Sequence, residues 1–253
     1  MHLVFRLAGP RLRLFSTADD LVGTTIGEPV VGGARSSYYI KETGLPVLTV
    51  GAQLRPGAAL ALFGVSAAEL AGAHTPLSML WGANGDSALN QLADAGRAGA
   101  GGGPMAQLAA LDALLCARLP QLRGLHPQVA QALGEFTLGL RIETLVERSD
   151  YSHRAFNALF KEAVGLSPKR YARLLRFQAM LARLNAPPGL DRGPAPALID
   201  LALAAGYSDQ AHMQREFREF SGVTPTQYRL LAPASSNHLP VAGGRPQPGK
   251  ENF

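Results

Sequence analysis

Two stretches of this 253-residue chain share one pattern, and a repeat of that kind constrains the architecture more than composition does. The first runs from Ile142-Glu-Thr-Leu145 through Ser152-His-Arg154-Ala-Phe156-Asn-Ala-Leu-Phe160 to Gly165-Leu-Ser-Pro168-Lys-Arg-Tyr171. The second runs from Leu198-Ile-Asp-Leu201 through Gly206-Tyr-Ser208-Asp-Gln210-Ala-His212-Met-Gln-Arg215-Glu-Phe217 to Gly222-Val-Thr-Pro225-Thr-Gln-Tyr228. Each copy closes as Phe, four residues, Gly, an apolar residue, Ser or Thr, Pro, two residues and Tyr. Ser152 and Ser208 are 56 residues apart, whereas Gly165 and Gly222 are 57 apart, so the second copy holds one extra residue ahead of its Phe. The pattern reads as helix, turn and helix, twice in one polypeptide.

The local chemistry of both copies supports that reading. In the first, Ile142, Leu145 and Val146 share one face of a short helix, Arg148-Ser-Asp150 makes the turn, and Ser152 caps the next helix. Phe156, Leu159, Phe160 and Val164 then recur at helical spacing and point inward, leaving His153, Arg154, Asn157, Ala158 and Lys161 outside. Gly165 stops the helix, Ser167 caps the one that follows, and Pro168 takes its first position. In the second copy Leu201 and Ala202 pack, Gly206 turns, Ser208 caps, and Met213, Phe217 and Phe220 point inward, with a Thr224–Gln227 capping box beyond. Gln210, His212, Gln214 and Arg215 remain for the outer face. Arg can bond guanine, and Gln or Asn adenine, across the major groove, so two such faces point to duplex DNA. Between the copies, Ser167 to Leu184 reads as one amphipathic helix of roughly 27 Å, near the roughly 34 Å between successive major-groove faces on one side of a duplex.

Charge agrees. The formal net charge is +5, and from Arg141 to Arg229 there are 13 Lys or Arg against 9 Asp or Glu, so most of the excess lies in the repeats. A basic balance permits a polyanionic partner. No uncharged apolar run approaches the roughly 18 residues of a membrane span, and Met1-His-Leu-Val-Phe-Arg has no secretion-signal pattern. The single cysteine, Cys116, excludes an intrachain disulfide and reads as a buried small hydrophobe in Leu114-Leu-Cys-Ala117. These features predict a cytoplasmic protein.

The chain as a whole is predicted as an α+β fold, with a β-rich N-terminal domain, a helical linker and an all-α C-terminal domain. Residues 1–95 read as a β-rich effector-binding or regulatory domain, with Ser37–Ile40, Pro46–Val50 and Leu60–Phe63 as short strands between Pro and Gly, and one helix at Ser87–Ala95. Gly96–Gly103 reads as a flexible joint. Residues 104–135 form a helical linker or dimerisation region, with Leu108, Leu111, Leu115 and Leu119 recurring at helical spacing and Pro127 opening the next helix. Residues 136–231 hold the all-α repeats, with Ala186–Pro196 as a loop between them, and residues 232–253 read as a disordered tail.

With these motifs in hand, the chain resembles the AraC/XylS family of bacterial transcription regulators over about Phe136 to Leu231, most closely in Ala205-Gly-Tyr-Ser-Asp-Gln-Ala-His212, Arg215-Glu-Phe217 and Gly222-Val-Thr-Pro225-Thr-Gln-Tyr228. The resemblance implies two helix-turn-helix subdomains bridged by a helix. It implies base reading by Arg154, Asn157 and Ala158 in the first and by Gln210, Ala211, His212, Gln214 and Arg215 in the second, with Ser152, Ser208, Lys169 and Arg170 on phosphates. It implies duplex DNA as partner, with RNA polymerase, a small-molecule effector and a second copy of the chain as further candidates. Neither membrane binding, a cofactor nor a metal is expected. Val146 and Asp150 depart from the family's usual Ala and Gly, and Ala158 stands where a long polar residue is common, so the second unit matches better.

No motif identifies an effector. Tyr38, Tyr39, His74 and Trp81 are pocket candidates, although a core or strand-surface role suits each better, and His74 has no partner at metal-ligand spacing. An enzyme with an appended DNA reader needs an activated nucleophilic Cys, which Cys116 in an apolar helix does not supply. The alternative from another class is a helical protein-interaction or anti-activator protein that has lost specific DNA reading; steep salt dependence of duplex binding separates the two.

Overall fold

His2-Leu-Val-Phe-Arg alternates apolar and polar residues, and in the computed structural model this stretch opens β1 (His2–Ala8) with Leu3 and Phe5 fully buried on one side. The structure describes residues 1–42, 46–119, 124–137, 142–147, 151–185, 196–231, 233 and 238–240. The further strands are β2 (Arg13–Phe15), β3 (Thr24–Thr25), β4 (Val30–Gly32), β5 (Ile40–Lys41), β6 (Leu48–Gln53) and β7 (His74–Pro76). The described helices are α1 (Ala58–Phe63), α2 (Ala67–Leu70), α3 (Ser78–Trp81), α4 (Ala83–Arg97), α5 (Pro104–Arg118), α6 (Pro127–Thr137), α7 (Ile142–Glu147), α8 (His153–Val164), α9 (Pro168–Leu184), α10 (Leu198–Ala204), α11 (Gln210–Ser221) and α12 (Pro225–Leu231). They divide into two compact units. One comprises Met1–Phe15, Val22–Arg35 and Lys41–Pro168; the other comprises Ser16–Leu21, Ser36–Ile40 and Lys169–Phe253.

In the first unit an antiparallel sheet has the order β6-β1-β4-β7; the short strands form a smaller sheet in the order β3-β2-β5. Register sets Phe5 opposite Val50 and Leu3 opposite Val31, so one face of the larger sheet is apolar. Leu62, Phe63, Leu70, Leu77, Trp81, Leu92 and Leu111 cover that face. Trp81 is held within this core by an Nε1–H bond to the Leu62 carbonyl of 2.8 Å, and the Arg118 guanidinium lies 3.9 Å above its ring. The same unit contains α6, α7 and α8. Phe136 of α6 meets Phe160 of α8 edge to face at 5.6 Å, Leu145 and Val146 of α7 are buried, and α8 packs on α1 and α2.

In the second unit Phe177 of α9 sits between Phe217 and Phe220 of α11, 5.1 Å from each ring. Met180, Leu181, Leu201, Ala202 and Met213 complete this core. Tyr228 is buried with its hydroxyl accepting a 2.6 Å bond from the Asn185 amide, a core residue with a satisfied polar tip. The Thr224–Gln227 capping box forms as read: Gln227 N–H donates to the Thr224 hydroxyl at 3.2 Å, and the Gln227 side chain accepts from Thr224 N–H at 2.8 Å.

Several expectations are corrected. Leu60–Phe63 lies in a helix, α1, because its neighbours Ala58, Ala59 and Ala61 favour helix and Gly64 closes it at φ 72°. Of Ser37–Ile40 only Ile40 is in a strand. The helix expected at Ser87–Ala95 extends over all of α4, so the first 95 residues mix strands with helices. Gly96–Gly103 is a tight closed connection between packed α4 and α5 rather than a flexible joint: Gly103 N–H bonds the Gly96 carbonyl at 3.1 Å, and Gly102 sits against that same carbonyl. Along α5 the buried positions are Gln107 and Leu111, whereas Leu108 and Cys116, and Leu119 just past its end, are exposed. Five residues past Leu111, at about 100° each, Cys116 has turned well off the buried face. The expected turn at Arg148–Asp150, all but Pro196 of the loop expected at Ala186–Pro196, and nearly all of the tail from 232 lie outside the described residues.

Two outcomes test this packing. Phe217→Ala, at a fully buried site, costs about 3–5 kcal/mol in urea unfolding. The Cys116 thiol of the native chain reacts with a thiol-specific dye as readily as that of the unfolded chain; a protected thiol would contradict its exposure.

Candidate nucleic-acid interface

Helices α8 and α11 are each twelve residues long and end at a left-handed glycine, Gly165 at φ 85° and Gly222 at φ 79°. Their N-caps differ from the sequence reading in one respect. Ser152 caps α8, accepting from Ala155 N–H at 3.3 Å. The cap of α11 is Asp209, not Ser208: its carboxylate accepts from His212 N–H at 2.7 Å. That bond, then the Ser208 hydroxyl and the charge of Arg215, hold the Asp209 carboxyl below its ordinary range. The extra residue of the second copy therefore falls in the turn before the helix, and cap, helix and glycine stop all repeat at a spacing of 57.

In this register the buried stripe Phe156, Phe160 and Val164 of α8 corresponds to Met213, Phe217 and Ser221 of α11, and the outward faces also correspond. Arg154, Asn157 and Ala158 are exposed, and stand where the second helix has Ala211, Gln214 and Arg215. Ala211, Gln214, Arg215 and Arg218 line one open groove along α11, with Thr224 at its side. Arg218 was absent from the sequence-predicted readers. Its signal was present in the one-turn spacing from Gln214 and Arg215 and in the correspondence with exposed Lys161. Gln210 is half-buried at the first position of α11. Lys169 and Arg170 are exposed on the first turn of α9, and Ser152 and Ser208 are exposed beside the two helix N-termini.

The inner side of α11 carries a charge cluster that sequence reading missed. Glu216 is 4 % exposed, and its Oε1 accepts from Arg173 Nε at 2.6 Å and Arg176 Nη2 at 3.3 Å. Arg173 also bonds Glu219, and these carboxylates raise the guanidinium above its ordinary range. His212 Nε2 lies 3.4 Å from the same Glu216 oxygen and its Nδ1 lies 3.2 Å from the Ser208 hydroxyl. Burial, then the negative charge of Glu216, push the nearby Tyr207 hydroxyl up. The sequence signal was a pair of Arg three apart on α9 facing a pair of Glu three apart on α11. The cluster fixes the rotation of α11 about its own axis, and so fixes which side chains face outward.

Comparison with known proteins agrees. A helix-turn-helix domain model matches residues 145–230. The chain is 32 % identical over 92 residues to the F1 operon positive regulatory protein of Yersinia pestis, covering 36 % of this chain and 28 % of that one. It is 29 % identical over 92 residues to the putative HTH-type transcriptional regulator YkgA of Escherichia coli K12, covering 36 % of this chain and 35 % of that one. It is 30 % identical over 91 residues to the probable transcription factor PqrA of Proteus vulgaris, covering 36 % of this chain and 69 % of that one. The chain belongs to the AraC/XylS family. The match lies in the C-terminal region, and the chain spans about a third or less of YkgA and of the Yersinia pestis regulator. Among the described residues, no helix of this AraC/XylS chain is long and apolar enough to cross a membrane, and no three His, Cys, Asp or Glu group as metal ligands.

Removing Glu216 takes away the buried carboxylate that Arg173 and Arg176 share, leaving Arg173 with Glu219 and Arg176 over the Tyr207 ring, both partly exposed to solvent. Glu216→Ala is expected to cost about 1–2 kcal/mol in urea unfolding, since the arginines it leaves are partly solvated, and Ser152→Ala about 1 kcal/mol through loss of the α8 cap.

Proposed function

We propose that the chain is a sequence-specific DNA-binding regulator of transcription in which α8 and α11 each enter a major groove. The observation that carries this reading is the repeated device itself: two twelve-residue helices in one register, each with the same four positions turned outward. Arg154, Asn157 and Ala158 face bases from α8; Gln210, Ala211, Gln214 and Arg215 do so from α11. Lys161 and Arg218, one turn further along, join Ser152, Lys169, Arg170 and Ser208 on the phosphate backbone. His212, both of whose ring nitrogens meet groups of the protein, orients the start of α11. Helix α9, 17 residues or about 26 Å long, supplies a spacer suited to adjacent turns of the duplex.

The first reader is built into the same compact unit as the N-terminal sheet, which supports modulation through that unit. Gly57 N–H bonds the Ala163 carbonyl at 2.9 Å, and a Cβ at Gly165 would lie 2.8 Å from the Ala67 carbonyl oxygen. A change in α1 or α2 is therefore felt directly at the C-terminal end of α8.

Selection of bound duplexes from a randomised pool tests the reading. The expected product is two short conserved blocks about one helical turn apart; no enrichment, with binding undetectable at low salt, would overturn it. With the selected site, Arg215→Ala relaxes specificity at one or two base pairs by about 1–3 kcal/mol each. Arg170→Ala weakens all sequences alike and lowers the salt dependence by about one ion. Gly165→Ala, which places a side chain at φ 85° against Ala67, weakens the block read by α8 and leaves the other block intact.

A further inference from the structure

The glycine stops of the two reader helices receive neighbours from one short stretch of chain. Residues 33–35 are pinned within the first unit: Gly33 N–H bonds the Ala73 carbonyl at 2.9 Å, the Ala34 carbonyl accepts from Gly72 N–H at 2.9 Å, and Arg35 bonds the Gly72 carbonyl. There Ala34 lies beside the stop of α8, since a Cβ at Gly165 would be 2.8 Å from the Ala34 Cβ. Ser36–Ile40 belongs to the second unit. In that unit the Tyr38 ring lies against the stop of α11: a Cβ at Gly222 would be 3.0 Å from ring carbon Cζ, 3.1 Å from Cε1 and 3.4 Å from Cδ1. Gly165 and Gly222 are corresponding positions of the two copies.

Gly222 is where α11 ends. Its φ of 79° turns the chain out of the helix, and its N–H donates the closing bond of 2.9 Å to the Arg218 carbonyl. Helix ends open more readily than helix interiors, because their last carbonyls have fewer partners. A ring against the stop takes up space into which the last turn would otherwise unwind. That turn carries Arg218, which lines the outer groove with Gln214 and Arg215. Tyr38 is itself 54 % exposed and Gly222 is exposed, so the contact lies at the surface, apart from the core of Phe177, Phe217 and Phe220. Its loss therefore falls on the placement of the last turn more than on global stability.

We propose, on the reading of α11 as a DNA reader with Arg218 on the phosphate backbone, that Tyr38 is a positioning residue of this second reader. It holds the last turn of α11 so that Arg218 keeps its place beside Gln214 and Arg215. Tyr38 acts through Gly222 and the bond to the Arg218 carbonyl rather than on DNA directly. The ring makes the contact and the hydroxyl is dispensable, since the three nearest atoms are ring carbons. A segment from the N-terminal part of the sequence thus serves the second reader within the same compact unit, beside α10, α11 and α12.

Two measurements on the full chain test this role. Amide hydrogen exchange reads the contact without DNA: Tyr38→Ala speeds exchange of the Gly222 N–H about tenfold and leaves that of Gly165 unchanged, while Tyr38→Phe behaves as the native chain. Equal exchange at Gly222 in Tyr38→Ala and the native chain would overturn the proposal. Titration of a duplex selected from a randomised pool reads the consequence. Tyr38→Ala weakens binding about threefold to tenfold and lowers the salt dependence by about one ion at most, whereas Tyr38→Phe binds as the native chain does. The double variant Tyr38→Ala/Arg218→Ala binds no more weakly than Arg218→Ala alone; additive losses would overturn the action through Arg218. Tyr38→Leu reports in place of Tyr38→Ala should that variant fail to fold. A native chain that selects no duplex would overturn the DNA reading and this role with it, an outcome that the exchange data distinguish from failure of the contact alone.

Discussion

Both candidate reader helices are fixed by the same pair of end constraints. A side-chain oxygen takes up an orphan N–H at the start, from Ser152 or Asp209, and a left-handed glycine thirteen residues later turns the chain out of the helix. Only twelve residues fit between, and the apolar stripe along them must face the core, so the outward positions follow. A cap moved by one residue would rotate the outward face by about 100°. In α11 that rotation is fixed again by Glu216, whose buried carboxylate accepts from Arg173 and Arg176 of α9.

The two helices reach rigidity by different means. Around α8 the neighbours are aromatic and aliphatic: Phe136 against Phe160, and α1 and α2 beneath the C-terminal end. Around α11 an aromatic cluster of Phe177, Phe217, Phe220 and Tyr228 is joined by an ionic one, with Arg173 lying 5.3 Å over the Phe220 ring and Arg176 5.5 Å over Tyr207. Buried ion pairs of this kind seldom add net stability over apolar packing, but a bond with direction fixes rotation and register better than non-directional burial does. An outward face carrying Gln214, Arg215 and Arg218 depends on that rotation.

Legibility in the sequence followed the range of the forces involved. The repeat, the caps at Ser152 and Thr224, the glycine stops and the inward aromatic residues are all set by contacts within a few residues, and each was readable. The cap of α11 was misplaced by one residue because Ser208 and Asp209 are equally good caps in isolation; the turn through Gly206 decides between them. Leu60–Phe63 was read as strand because a four-residue apolar run has no distinguishing period, and its helix is settled by Ala58, Ala59 and packing against the sheet. Cys116 reads as buried because α5 is apolar on most sides, so that the face covered is selected only by the elements packed on it, α4, β6 and α1. Arg218 and Glu216 were visible as letters, yet their opposite fates, one exposed and one buried, depend on α9.

By itself the sequence determined that two helix pairs with matched ends lie in the C-terminal region, because caps, stops and apolar spacing are local and each acts within one or two helical turns. It determined equally that their outward residues are ones able to contact a duplex. Tertiary structure decided which residues the local code leaves ambiguous. It placed α8 in one compact unit with the N-terminal sheet, buried Glu216 between arginines, and set Tyr38 against Gly222. Those juxtapositions join residues tens of positions apart, where strand register and helix packing act and no short-range propensity does.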